Sequence, residues 1–184
     1  MLNPWMQQVR DWQTFYTLTG SAAATLLALM FVVISLGMAS LGPNMSGEGV
    51  RAFVTPTVVY FAAVLMLAAL MIMPVMTPLL LGGLLGLGGL GGIGYIVVIR
   101  VDGIWRRSKL PWDDWYWHVA LPVVVDGLLI AAGLCLWLGW SPGMICAALA
   151  DLLLLMIGIR NAWDLAIWMA QQRRNQSPPP PPES

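Results

Sequence analysis

Long uncharged apolar runs, not an alternation of apolar and polar positions, dominate the pattern of this chain. A helix that crosses a hydrocarbon core roughly 30 Å thick needs about 20 mostly apolar residues, and five stretches meet that requirement. The first covers residues 15–38 and carries no charge. The second and third share the uncharged interval 52–99, about twice the length of one span. Within it, Met73-Pro74-Val75-Met76-Thr77-Pro78 removes two backbone donors and marks a reversal. The expected helices are therefore 52–73 and 77–99. The fourth span is read over 117–138. The fifth is read over 142–160, with a helical extension to about residue 172, and Ser141 before Pro142 supplies an N-cap and a first-turn proline. The hairpin between them is expected to turn between Trp140 and Ser141.

At the start of the chain, Asn3-Pro4 has the same cap-and-proline form, and Trp5, Met6, Val9 and Trp12 share one helical face, an interfacial lead-in to the first span. A charged leader is missing and the apolar run is too long for a cleavable signal, so this segment is expected to stay in the mature protein. Residues 173–184 end in five consecutive prolines, Pro178 to Pro182, and are expected to form a disordered cytoplasmic tail. The fold class expected is all-α, a polytopic membrane protein with one five-span domain over residues 1–172.

Composition strengthens this picture. Only 10% of residues are charged and 59% are apolar, against about a quarter charged in soluble domains. Nine basic and nine acidic residues leave no cationic field for nucleic acid, and the partner implied is the lipid bilayer. The basic residues are unevenly sorted. Five spans place Arg51, then Arg100, Arg106, Arg107 and Lys109, then Arg160, Arg173 and Arg174 on one side, and Arg10 alone on the other. Positive residues are retained in the cytoplasm, so the N-terminus is expected outside and the C-terminus inside. Nine of the ten tryptophans fall at expected headgroup depth, with Trp137 just within its span.

Ionisable groups inside a bilayer cost about 2.5 to 3.5 kcal/mol at a helix centre and are therefore candidates for function. Asp126 and Asp151 each lie nine residues into a span, about 13 Å from its end, and differ by about 6 Å in depth across the hairpin. That placement lets them face one polar cavity. Pro122, one turn before Asp126, leaves the carbonyl of His118 without its helical donor and favours a kink beside the acid. Arg160 has three candidate partners, Asp164 four residues on and the two intramembrane acids, of which Asp164 is preferred. Two readings of the acids stand: an ion or proton pathway through Asp126, Asp151, Pro122 and Arg160, or buried polar glue between helices or subunits.

Small residues give a second set of candidates. The third span holds eight glycines between Gly82 and Gly94, with small-xxx-small spacing at Gly82/Gly86 and Gly88/Gly92. The first span offers Gly20, Ala22, Ala23, Ala24 and Ala28 as a narrow face flanked by Thr17, Thr19, Ser21 and Thr25 hydroxyls able to bond across it. Both suit close helix contact. Cys135 and Cys146 are equidistant from the expected turn, so a disulfide and a pair of small buried hydrophobes both remain open. No catalytic triad, metal-ligand spacing or phosphate loop in context is present, and no cofactor, metal or enzymatic activity is expected.

The first span, from Phe15-Tyr16 through Gly20-Ser21-Ala22-Ala23-Ala24 to Phe31-Val32-Val33-Ile34-Ser35-Leu36, resembles an uncharacterised group of small bacterial multi-pass membrane proteins. Residues 51–56 are a weaker echo in the second span. The resemblance implies a bacterial inner membrane and brings no activity, cofactor or catalytic residue. Two functional classes follow from the whole sequence. One is a helix-packing scaffold or an assembly or regulatory component, associating with itself or another membrane protein. The other is a small oligomeric channel or proton-coupled transporter that uses the intramembrane aspartates.

Overall fold

A computed structural model describes residues 4–41, 47–74, 76–97 and 116–176, with side chains over 4–36, 57–74, 76–97, 116–117 and 119–171. The expected Asn3 cap, the basic loop from Arg100 to Lys109, residues 177–184 and the side chains of Arg51, His118, Arg173 and Arg174 lie outside these residues.

The described residues form five α-helices: α1 (Pro4–Leu41), α2 (Gly47–Ile72), α3 (Pro78–Tyr95), α4 (Leu121–Trp137) and α5 (Pro142–Gln176). A π-helical turn, Tyr116–Ala120, runs directly into α4, and Ile96 and Val97 continue α3 with π-helical pairing. The described elements are all helical. Three of the helices are long and apolar enough to cross a membrane, over Pro4–Leu36, Pro78–Tyr95 and Pro142–Gln171, with mean hydropathies of 2.0, 1.4 and 2.1. Thr57–Ile72 and Leu121–Trp137 are shorter apolar helices. These features are those of a membrane protein.

Local chemistry explains the boundaries. α2 ends at Ile72, just before Pro74, and α3 starts at Pro78. The Thr77 hydroxyl accepts the N–H of Leu80 at 3.2 Å, which satisfies a donor that the first turn leaves free. At the other hairpin, Gly139 adopts a φ of 69°, Trp140 N–H donates to the Cys135 carbonyl at 2.8 Å and Gly139 N–H donates to the Leu136 carbonyl at 3.2 Å. This is a Schellman closure, and it needs a residue free of Cβ strain at Gly139. The connection runs over residues 138–141, and the expected Trp140/Ser141 position falls within it.

Two expectations of extent change. The interfacial lead-in and the first span are one continuous helix of 38 residues. α5 continues to Gln176, so residues 173–176, expected in the tail, are helical. Where Pro122 withdraws its donor, the chain answers with the π turn ahead of it. A wider turn re-pairs backbone groups around a missing donor.

α5 is the centre of the bundle and packs against α4, α2 and α1; α1 also lies along α2. α3 makes its extensive contact with α4 and not with its sequence neighbour α2. Three buried clusters follow one another along α5. The first is around Met144, Ala147 and Ala148 with Tyr16 and Leu81. The second is around Ala150, Leu154 and Ile157 with Val64 and Val125. The third joins Leu165 and Met169 to Phe61 and Met30.

Candidate functional site

Because α2 and α3 diverge from their shared turn, a groove opens between them. Its cavity volume is about 780 Å³. α2 contributes Tyr60, Met66 and Leu70 to one wall, α3 contributes Gly88 and Tyr95 to the other, and α4 and α5 close the floor. Met66 and Tyr95 are 62% and 56% exposed, so the groove opens sideways to the surroundings of the bundle and not only along its axis. Almost all of its lining is hydrocarbon or aromatic; Asp126 is the one charged residue in it.

Asp126 projects from α4 toward α3, where its carboxylate lies directly against Gly92. A Cβ at Gly92 would overlap that carboxylate, so the absence of a side chain there is what gives the acid its place. The residue is 9% exposed and forms no hydrogen bond or ion pair among the described residues. Pro122 lines the same groove one turn away.

Asp151 faces elsewhere. It is fully buried in the contact of α5 with α1, within electrostatic range of Tyr16 and beside Thr19. Both Asp151 carboxylate oxygens and the Tyr16 hydroxyl are buried without a hydrogen-bond partner. The Thr19 hydroxyl instead approaches the Tyr16 carbonyl at 3.5 Å, the weak limit of a hydrogen bond. A rotation of that hydroxyl is all it needs to donate toward the acid. The cavity shared by the two aspartates, expected from their depths, is therefore not formed within the chain: Asp126 opens on the groove and Asp151 does not line it. Depth along a helix places an acid vertically, but rotation about the axis decides which neighbour it meets.

Arg160 belongs to neither acid. Its Nε donates to Asp164 Oδ2 at 3.3 Å in an exposed i,i+4 pair, and its guanidinium stands 5.1 Å from the centre of the Trp117 ring. Its expected pathway role is set aside on that geometry, and the Asp164 pairing is the one observed.

The glycines divide by face. Gly82 meets α4 closely: a Cβ there would come within 2.8 Å of the Gly133 carbonyl oxygen and 2.6 Å of Trp137 Cδ1. Gly89 and Gly92 continue that contact against Asp126. Gly20 serves α1 in the same way, since a methyl group on it would stand only 2.9 Å from the Ala68 Cβ of α2. Gly86, Gly88, Gly91 and Gly94 have nothing within 4 Å of a Cβ position, and Ala24 is exposed. Within one chain, then, Gly88 and Ala24 do not make the side-chain-free contacts expected of them, while the Gly86 backbone nitrogen lies at the α3–α4 crossing, 3.1 Å from a Cβ position at Gly133. The hydroxyls of Thr17 and Thr25 also turn inward on their own helix, donating to the carbonyls of Gln13 and Ser21 at 2.8 Å each. They do not bridge to a neighbouring helix.

Sequence reasoning gave no role to Gly133, Gly158 or Tyr16, yet Gly133 is the α4 side of the closest crossing and Gly158 leaves room for the Phe61 ring. Two tryptophans read as lipid anchors also tie helices together. Trp5 Nε1 donates to the Met76 carbonyl and Trp137 Nε1 to the Leu79 carbonyl, both at 2.9 Å. The start of α1, the α2–α3 turn and the end of α4 thereby gather at one end of the bundle. Cys135 and Cys146 are free thiols. Among the described residues no three His, Cys, Asp or Glu side chains come together.

Comparison of the chain with protein-family models, with curated proteins and with solved structures finds no match.

Proposed function

We propose that this chain is a five-span protein of a bacterial inner membrane, N-terminus outside and C-terminus inside, that acts as a scaffold or assembly component of a membrane complex. The observation that carries the reading is the outer face of α3. Gly91 and Gly94 are exposed and have nothing within 4 Å of a Cβ position, beside the exposed Leu87 and Leu90. Glycine lowers helix stability by about 1 kcal/mol relative to alanine in a helix interior. Helix association in lipid relies on backbones coming close together. A bare glycine face on the outermost helix of the bundle is suited to a second copy or to a helix of another membrane protein. The exposed small residues of α1, including Ala24, offer a similar surface.

The test is self-association in nanodiscs and by crosslinking in native membranes. Gly91→Leu and Gly94→Leu are expected to reduce assembly at least about tenfold while leaving the monomer folded, since both positions are exposed and a Cβ at either has nothing within 4 Å. Unchanged assembly in both variants would remove the reading. A reporter fused to the C-terminus and active only outside the cytoplasm would refute the orientation. The transport reading draws on one observation, the buried Asp151 with its unpartnered oxygens beside Tyr16. Proteoliposome proton flux abolished by Asp151→Asn would favour it.

A further inference from the structure

We infer that the α2–α3 groove is a binding site for a lipophilic cation, an apolar molecule carrying one positive centre, with Asp126 as its counter-ion. The proposal goes beyond the assembly reading, because the glycine face invoked there lies on the other side of α3. Three features converge on this ligand chemistry. The groove has the volume of a small-molecule site, about 780 Å³, within the roughly 300 to 1,000 Å³ that such sites occupy. Its walls are hydrocarbon and aromatic, which accommodates an apolar body. Asp126, 9% exposed and without a partner among the described residues, supplies one fixed acceptor at the groove's inner wall.

Charge decides the occupant. An ionised carboxyl in an apolar setting is costly unless a cation or donors answer it, and among the described residues none does. A neutral acyl chain would fill the space and leave the carboxyl unanswered; an anionic group would be repelled by it. A cation on an apolar frame satisfies both parts of the site. Tyr60 and Tyr95 add aromatic rings to the lining, and such rings can attract a desolvated cation. The sideways opening between α2 and α3 gives a molecule already dissolved in the bilayer a route that does not cross water. Gly92 makes the arrangement possible, since any side chain there would displace the carboxylate.

The experiment uses the full-length chain in nanodiscs, with tetraphenylphosphonium as the probe and the neutral triphenylphosphine as its control, measured by equilibrium dialysis against empty nanodiscs. Saturable tetraphenylphosphonium binding is expected. Asp126→Asn should weaken it by at least about tenfold, the loss of one desolvated ion pair. Gly88→Leu, which projects into the groove from a position with nothing within 4 Å, should block it while helicity and elution volume stay unchanged. Asp151→Asn should bind as the wild type does. No saturable binding, equal uptake of the neutral probe, or binding unaffected by either Asp126→Asn or Gly88→Leu would each overturn the proposal. Should Asp126→Asn fail to fold, Gly88→Leu decides alone. Self-association measured on the same samples reads the outer α3 face separately, so loss of one property leaves the other visible.

Discussion

Asp151 carries a local cost. Its side chain is completely buried and neither oxygen has a partner, and leaving a buried polar group unsatisfied costs about 1 to 3 kcal/mol. Leucine repeats the branching with methyl groups in place of oxygens, and its greater volume sets some overpacking against the gain. Asp151→Leu is therefore expected to stabilise the fold in detergent unfolding, by less than the roughly 1 to 3 kcal/mol that the unsatisfied acid costs. A lower stability would mean that water or a rotated Thr19 already satisfies the acid. Both aspartates were legible in the sequence because a charge stands out in an apolar run. Their directions were not, because helices apolar on all sides carry no stripe from which to read rotation about the axis. The same limit hid the difference between Gly92, which accommodates a carboxylate, and Gly94, which touches nothing.

At the scale of helices, punctuation was the readable signal. Pro74 and Pro78 located the α2–α3 reversal, and the resulting α3 start at Pro78 lies one residue from the expected position. The end of α4 was set by Gly139, whose role depends on a left-handed conformation that composition alone does not announce. The π turn before Pro122 likewise has no residue signature of its own. Tryptophan placement was read as membrane depth and gave no sign of fastening. The indole of Trp137 covers Gly82 and donates to the Leu79 carbonyl, and one such hydrogen bond is worth about 0.5 to 1.5 kcal/mol. Trp137→Phe is expected to speed amide exchange over residues 80–84 by about two- to tenfold. Exchange unchanged there would show that α3 is held by its glycine crossing without help from the indole.

For the whole molecule, hydropathy gave the helical class more directly than the arrangement of the helices. Two apolar helices joined by a short reversal are expected to pack as an antiparallel pair, yet α3 leaves α2 for α4. The reason lies in backbone approach: Gly82 and Gly89 on α3 meet Gly133 and the Asp126 carbonyl on α4. In lipid, where apolar side chains gain little from leaving the solvent, such close contact outweighs chain proximity. The groove is the space that this choice leaves behind, which is why no feature of the sequence indicated it.

α1 and α5 have 38 and 35 residues. At about 1.5 Å per residue they are about 57 and 52 Å long, well beyond the usual hydrocarbon thickness of roughly 30 Å, so both must tilt or stand clear of it. α5 begins at the α4–α5 hairpin, at the end of the bundle where Trp5, the α2–α3 turn and Trp137 gather. The surplus length of both helices therefore emerges together at the opposite end, as a pair of posts rising from the lipid on one side of the molecule.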